Sequence, residues 1–103
     1  MTRYGLHGSL RATEGQGDAL AELLLEAAHS VDGQDGCLLY LVSRAEDDPE
    51  LVWVTEVWTD RAAHAASLQH PATTAMISRG RPLIAGMGDR SEFVPVGGLG
   101  LTL

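Results

Sequence analysis

The hydrophobic period of the chain changes within residues 51–68, which read LVWVTEVWTDRAAHAASL. As far as Trp58 the apolar side chains occupy both parities, which is typical of a strand covered on both faces. After Asp60, a good N-cap residue, the apolar positions follow a helical period without Gly or Pro. A buried strand is therefore predicted to deliver Glu56 and Trp58 to the start of a short helix that carries His64.

The remaining elements follow from the same periodicities. A polar connection is predicted at residues 32–36, an acidic hairpin loop at residues 46–50 and a glycine-rich connection at residues 84–88. The predicted strands span residues 4–12, 37–44, 51–58 and 91–96. The predicted helical segments span residues 18–31, 61–68 and 72–83.

The order strand, helix, strand, strand, helix, strand is the split βαβ arrangement. We therefore expect an α+β, ferredoxin-like fold with a four-stranded antiparallel sheet and helices on one face. With 103 residues the chain is expected to be a single domain, residues 1–103. The two-sided apolar strands require cover on the other face, which a second copy of the chain would supply. The apolar tail, residues 93–103, is predicted to contact that partner subunit.

Composition excludes several classes of protein. The net charge of −7 and the absence of Lys argue against nucleic-acid binding, which relies on basic side chains. No apolar run approaches the ~20 residues that span a bilayer, and no signal-like segment opens the chain, so we expect a cytoplasmic protein without membrane contact. Cys37 is the only cysteine, which excludes an internal disulfide and predicts a small buried apolar side chain.

No metal site is predicted from the histidines or the acidic residues. His64 and His70 are six residues apart across a predicted helix end, which is a poor spacing for one metal ion. The carboxylates at residues 46–50 lack the spacing of a calcium loop and are interpreted as a solvated turn.

Four sequence features occur in an order that supports a family resemblance. They are the strand opening Gly-Cys-Leu at residues 36–38, the acidic-Pro hairpin, Glu-Val-Trp at residues 56–58 before an Ala-rich helix, and Arg-Pro-Leu-Ile-Ala-Gly at residues 81–86. With these features the chain resembles the antibiotic biosynthesis monooxygenase family from Tyr4 to about Val96. That family consists of small dimeric α+β-barrel proteins and includes cofactor-free quinol and anthrone oxygenases.

The resemblance implies a homodimeric, cofactor-independent monooxygenase that oxidises a quinol- or anthrone-like aromatic with O₂. Trp58 stands where the family's anthrone oxygenases have a pocket Trp, and His64 stands where they have a Tyr. Their pocket Asn, strand Tyr and Arg fall at Val54, Val42 and about Ile77, so the site here is expected to be more apolar. Haem is not expected, because the positions of the Trp, the iron-ligating His and the Asn of the haem-degrading branch hold Ser67, Ile77 and Gly8.

His64 is the leading candidate for the acid–base group, because His titrates near neutral pH and the resemblance places this position in the pocket. The resemblance also makes the face of Val54, Glu56 and Trp58 the one that faces the helices. Glu56 is then either a second base, a partner that orients His64, or a structural ion pair at the sheet edge. Trp58 offers a stacking face and an N–H donor for a planar substrate, or it simply fills the core.

Tyr40 and Met76 complete the predicted substrate-binding set with Val42, Val54 and Ile77, and core packing is the alternative for both. Two other functions remain open on the same scaffold. One is a non-catalytic dimer that binds a small aromatic ligand or serves as an accessory subunit. The other is a non-oxidative lyase, isomerase or cyclase that uses His64 as a proton shuttle.

Overall fold

In the part of the chain that the structure describes, four strands and three helices follow one another in the order predicted from the sequence. The computed structural model describes residues 2–31 and 36–100. The strands are β1 (Tyr4–Ala12), β2 (Cys37–Ala45), β3 (Asp48–Trp58) and β4 (Ile84–Phe93). The helices are α1 (Gly17–Val31), α2 (Arg61–Ser67) and α3 (Pro71–Gly80), and a 3₁₀ turn at Arg81–Leu83 follows α3.

The strands form one antiparallel sheet in the order β2-β3-β1-β4. The two central strands are thus β3 and β1, which are far apart in sequence and pair along nearly their whole length. This is the predicted ferredoxin-like α+β fold, and the prediction is confirmed. The predicted connection at residues 32–35 and the last residues of the tail, 101–103, lie outside the described residues.

Each short helix begins directly after a residue whose side chain caps it, and for α2 this residue is the predicted Asp60. The Asp60 side chain accepts a hydrogen bond of 2.7 Å from the backbone N–H of Ala63 at the start of α2. His70 caps α3 in the same way, with Nδ1 accepting from the Ala72 N–H at 3.2 Å, and Pro71 occupies the first helical position. Residues 68–70 thus connect α2 to α3, and the His70 side chain is used as a helix cap.

The core lies between the helices and one face of the sheet. Its members form two clusters, one at each end of that layer. The first consists of Tyr4, Leu6 and Trp58, with Ala63 of α2 packed against it. The second consists of Ala12, Leu20 of α1 and Val52. Because Val52 and Trp58 share a parity, the even-numbered residues of β3 face the helices, as expected.

The opposite face of the sheet carries aromatic and apolar side chains. The His7 ring stacks on the Trp53 ring at a centroid distance of 4.6 Å, and His7 Nδ1 lies 2.7 Å from the Thr55 hydroxyl oxygen. Leu41, paired with Thr55 across β2 and β3, is 50% exposed on this face. We call this surface the outer face. Leu41 and Trp53 give this face large apolar side chains.

The predicted fourth strand at residues 91–96 is wrong in its position. β4 begins at Ile84, so the predicted glycine-rich connection is strand, and β4 ends at Phe93. The reason is pairing with β1, since Gly88 lies so close to Ser9 that a Cβ there would overlap the Ser9 hydroxyl. Glycine lowers the strand propensity of the segment, but tertiary pairing overrides it.

The hairpin between β2 and β3 is tighter than predicted. β3 begins at Asp48, which leaves a two-residue turn at residues 46–47 instead of a loop over residues 46–50. Asp48 accepts hydrogen bonds from the Arg11 guanidinium at 2.9 Å and from the Glu50 N–H at 3.0 Å. These bonds, led by that from Arg11, hold the pKa of Asp48 below its ordinary value. Three residues of the predicted acidic loop, 48–50, are therefore part of β3.

A substitution at Gly17 tests the contact between α1 and this hairpin. A Cβ added there would overlap the backbone carbonyl oxygen of Pro49, which cannot rotate away. We expect Gly17→Ala to lower the free energy of unfolding by about 1–3 kcal/mol, as overpacking does, although Ala is the better helix former. Gly86→Ala is the matched control, because no atom lies within 4 Å of a Cβ there. Urea unfolding measures the free energy of unfolding of both variants. Equal stability of the two would contradict the close contact between Gly17 and Pro49.

Candidate active site

Glu56, Trp58 and His64 converge on one point between the sheet and α2. Glu56 Oε1 accepts a hydrogen bond of 3.1 Å from the indole N–H of Trp58 and lies 3.9 Å from His64 Nε2. The Trp58 and His64 rings meet edge to face with centroids 5.7 Å apart. The side chains of His64 and Glu56 are only 12% and 13% exposed. The predicted convergence of these three residues is what the structure shows, and His64 is not a surface residue.

The three residues line a cavity of about 550 Å³ between the sheet and the helices. This volume is in the range of sites for small organic molecules. α1 supplies apolar side chains to one wall, and α3 supplies Met76 and Ile77 to another. The polar groups of Glu56 and His64 therefore lie at the edge of a mainly apolar space.

The pKa values of the two acid–base groups move in opposite directions. Burial raises the pKa of Glu56, although the Trp58 hydrogen bond and the charge of Arg90 work against the rise. Burial also lowers the pKa of His64, and the charges of Arg90 and Arg61 lower it further, against the attraction of Glu92. At 3.9 Å the Glu56–His64 pair is too long for a hydrogen bond that would offset the desolvation of both charges. Both shifts favour the neutral forms.

A second group of side chains holds the His64 ring from the other side. The Tyr4 ring lies 5.2 Å from the His64 ring, between centroids. The Tyr4 hydroxyl donates to Glu92 Oε2 at 2.7 Å, and Arg61 donates to the same oxygen at 2.6 Å. The Arg61 guanidinium also lies 4.6 Å above the centre of the Tyr4 ring. The imidazole is thus fixed between Tyr4 and Trp58.

Sequence reasoning missed Tyr4, Arg61 and Glu92. They come from β1, α2 and β4, and no spacing in the sequence connects them. It also did not predict the contribution of α1, whose apolar stripe could have indicated it. The α1 residues that line the cavity are Leu20, Leu23, Leu24, Ala27 and Ser30.

Most of the predicted substrate-binding residues border the cavity. Tyr40, Met76 and Ile77 line it, and Val54 lines a smaller adjoining lobe. Val42 packs instead against the core cluster of Ala12, Leu20 and Val52. The pKa of Tyr40 is raised chiefly by burial and also by the neighbouring charge of Glu56, so its phenol keeps its proton.

Trp58 has a different role from the one expected of its polar edge. The side chain is 1% exposed and belongs to a core cluster, and its N–H is donated to Glu56. This N–H is therefore used within the protein, and the indole contributes a wall to the cavity.

Thr73 offers a polar group that sequence reasoning missed. Its hydroxyl oxygen is buried and has no hydrogen-bond partner among the described residues, so a ligand or a water could satisfy it.

Within residues 2–31 and 36–100, no three His, Cys, Asp or Glu side chains lie together in a way that could hold a metal ion. Over the same residues, no helix is long and apolar enough to cross a membrane.

Comparison with known proteins assigns the family. The sequence model for the family described as Antibiotic biosynthesis monooxygenase matches residues 3–79. The chain belongs to this family. This agrees with the resemblance noted in the sequence. The match covers β1, α1, β2, β3, α2 and nearly all of α3, and it ends before β4. Among the curated proteins, none matches the chain.

Several solved structures share the fold of this family member. A candidate antibiotic biosynthesis monooxygenase from Chloroflexus aurantiacus J-10-fl is 46% identical, with a TM-score of 0.90 over 98% of this chain and 100% of that one. SnoaB, a cofactor-independent oxygenase from Streptomyces nogalater, is 17% identical, with a TM-score of 0.81 over 97% and 99% of the two chains. PA3566 from Pseudomonas aeruginosa is 20% identical, with a TM-score of 0.83 over 94% and 97%. The last two similarities show the fold alone.

The buried Glu56 carboxyl makes a pH-dependent contribution to stability. Its folded-state pKa is raised above the ordinary 4.5, so its contribution is fully present below that value and is lost as pH rises through the raised one. We expect Glu56→Gln, which keeps an oxygen for the Trp58 N–H, to be more stable than wild type near neutral pH and equally stable in acid. Urea unfolding between about pH 4 and pH 8 measures this difference.

The matched control for this measurement is Glu22→Gln, on the exposed surface of α1. We expect its stability to follow that of wild type at every pH. A constant difference between Glu56→Gln and wild type across the whole range would show that burial of the Glu56 charge costs nothing.

Proposed function

We propose that this protein is a cofactor-independent monooxygenase that oxidises a quinol- or anthrone-like aromatic with O₂. The observation that carries the proposal is the His64 imidazole, buried at the edge of an apolar cavity large enough for a polycyclic ring system. Burial lowers the pKa of His64, which favours the neutral form of the ring. A neutral imidazole is a base at physiological pH. The family membership and the fold shared with SnoaB, a cofactor-independent oxygenase, support the same activity.

The first step that we propose is removal of a proton from the bound substrate by His64. The resulting anion is the species that transfers an electron to O₂, since the neutral phenol or anthrone is a poorer donor. The radical pair then combines to a peroxide at the ring carbon, and His64 returns its proton to the outer peroxide oxygen. For an anthrone, loss of the second C–H proton with cleavage of the O–O bond leaves a ketone and water. The CH₂ group and O₂ thus give C=O and H₂O, with no external reductant.

The other residues of the site support these steps by position. Tyr40, Met76 and Ile77 give apolar and aromatic walls that keep water from the radical pair, and Trp58 closes the wall beside His64. Glu56 is the second proton carrier in this proposal, because its raised pKa and its distance of 3.9 Å from His64 suit proton exchange through the cavity. Val54 borders the smaller lobe next to Glu56.

Oxygen uptake by metal-stripped protein, measured with a panel of anthrones and naphthoquinols, tests this function. We expect His64→Ala to lower the rate by about 10²–10⁴, the usual contribution of a positioned acid–base group. His29→Ala is the matched control, because His29 lies on the exposed surface of α1, and it should keep the full rate. Absence of uptake by wild type, on compounds that a known oxygenase of the family oxidises, would favour a ligand-binding or non-oxidative role.

We further propose that the protein is a homodimer that uses the outer face. Trp53 and Leu41 supply apolar surface there, and the chain after β4 continues with exposed apolar residues, of which Val96 is 95% exposed. Burial of such surface against a second copy is favourable, at roughly 25 cal/mol per Å² of apolar area before the costs of association. The residues after Phe93 are proposed to reach the partner subunit, in agreement with the expectation from the sequence.

Substitution of Trp53 tests the dimer. We expect Trp53→Asp to give a monomer, because a carboxylate in the centre of the outer face would be buried without a partner. Leu25→Asp is the matched control, since Leu25 is an exposed apolar residue on α1, away from the outer face. Light scattering after size-exclusion chromatography gives the mass of each variant. A monomeric wild type, or a dimeric Trp53→Asp variant, would refute this interface.

A further inference from the structure

The cavity has a second lobe that leads to a cationic side chain. This lobe has a volume of about 230 Å³ and shares Leu10, Tyr40, Glu56 and other lining residues with the main cavity. It extends between β1 and β4, and Arg90 lines it. A molecule that fills both lobes would therefore have an apolar part against the helices and its other part beside a guanidinium.

Arg90 lies opposite Gly8 in the pairing of β4 with β1. Because Gly8 has no side chain, none projects from this position of β1 beside Arg90. The Arg90 side chain is 54% exposed, so this end of the cavity is in contact with solvent. A ligand can therefore enter from solvent at this end without disrupting the packing of the core.

The donors of Arg90 are incompletely used by the protein. Among residues 2–31 and 36–100, Arg90 forms an ion pair with Glu92 Oε1. The distance of 3.6 Å is too long for a hydrogen bond. The other oxygen of Glu92 accepts the shorter bonds from Tyr4 and Arg61. A guanidinium has five N–H donors in a planar fork that matches two oxygens of a carboxylate. Arg90 therefore has donors for an anionic ligand.

The guanidinium of Arg90 also lines the same lobe as the Glu56 carboxyl group. Arg61 and Arg90 share the single carboxylate of Glu92. Arg90 lowers the pKa of both Glu56 and His64, which places its charge within electrostatic range of the two acid–base groups. Asp89 is the carboxylate that borders the same lobe, and it is exposed.

We propose that Arg90 binds an anionic oxygen of the substrate, so that the ligand of this cavity is a planar aromatic that carries a carboxylate or an acidic enol. The inference rests on the proposed function only in taking this cavity as the substrate site. Arg90 is then a specificity-determining residue, since an uncharged aromatic of the same shape would fill the apolar lobe without using the guanidinium. Partial solvent exposure limits the gain, and we expect a preference for the anion of about tenfold.

Two matched ligand pairs test this preference by calorimetric titration, and none of the four compounds needs to be oxidised. The first pair is 2-naphthoate and its neutral analogue 2-naphthamide. The second is 2-hydroxy-1,4-naphthoquinone, which is an anion at neutral pH, and its neutral methyl ether. Tighter binding of the anion in the first pair alone indicates a carboxylate, in the second pair alone an enolate, and in both pairs a site for either. Each of these outcomes supports the proposal.

Three variants assign the preference to Arg90. Arg90→Gln should lose it and keep its affinity for the neutral compounds, whereas Arg90→Lys should retain part of it because the charge remains. Arg44→Gln is the matched control and should behave as wild type. Arg44 is also a strand arginine on the helix-facing side of the sheet, paired with Asp18, but it lies on β2 at the opposite edge. Circular dichroism establishes that each variant is folded.

Equal binding of anion and neutral compound by wild type, binding of neither, or an unchanged preference in Arg90→Gln would overturn the proposal. These outcomes are separate from failure of the monooxygenase function. If that function is wrong and Arg90 does select anions, oxygen uptake is absent while the binding preference persists and disappears in Arg90→Gln.

Discussion

The antiparallel register between β1 and β3 is the constraint on which the site depends. It places Tyr4 opposite Trp58 and Leu6 opposite Glu56 at the centre of the sheet. A slip of one residue would turn Glu56 and Trp58 to the outer face and bring Thr55 and Val57 to the helices. The core clusters at the two ends of the helix-facing layer oppose such a slip, because Val52 and Trp58 are both buried in the observed register. The same apolar packing that stabilises the fold therefore sets the position of the acid–base pair.

Placing a carboxyl group and an imidazole in this layer has an energetic cost that the fold offsets only in part. The Trp58 N–H satisfies one oxygen of Glu56, and the Tyr4 ring and the Trp58 ring hold the imidazole without a short hydrogen bond to the carboxylate. A closer ion pair would stabilise both charged forms and would leave His64 protonated and less able to act as a base. At the observed separation, burial lowers the pKa of His64 and favours the neutral imidazole, at some expense of stability. Such a compromise is common where function needs perturbed titratable groups.

The two faces of the sheet have different roles because strand side chains alternate. The even-numbered residues of β3 build the core and the cavity, whereas Trp53 and Thr55 between them build the outer face with His7. The edge strand β4 serves the cavity from the side through Arg90 and Glu92. Its glycines lower its strand propensity, but they allow β4 to approach β1 closely enough to bring those two charges to the site.

The sequence by itself determined the strands and helices whose periodicity is strong and local. The capped start of α2 after Asp60, the long helix α1 and the buried strand β3 could all be predicted, and with them the placing of Glu56 and His64 near each other. Only the tertiary structure decided the position of β4, whose glycine-rich segment becomes a strand through its pairing with β1. It also decided the surroundings of His64, since Tyr4, Arg61 and Glu92 are brought together by long-range pairing and no local pattern records it. Periodicity reports which residues are buried, whereas the partner of a buried polar group depends on contacts between distant segments.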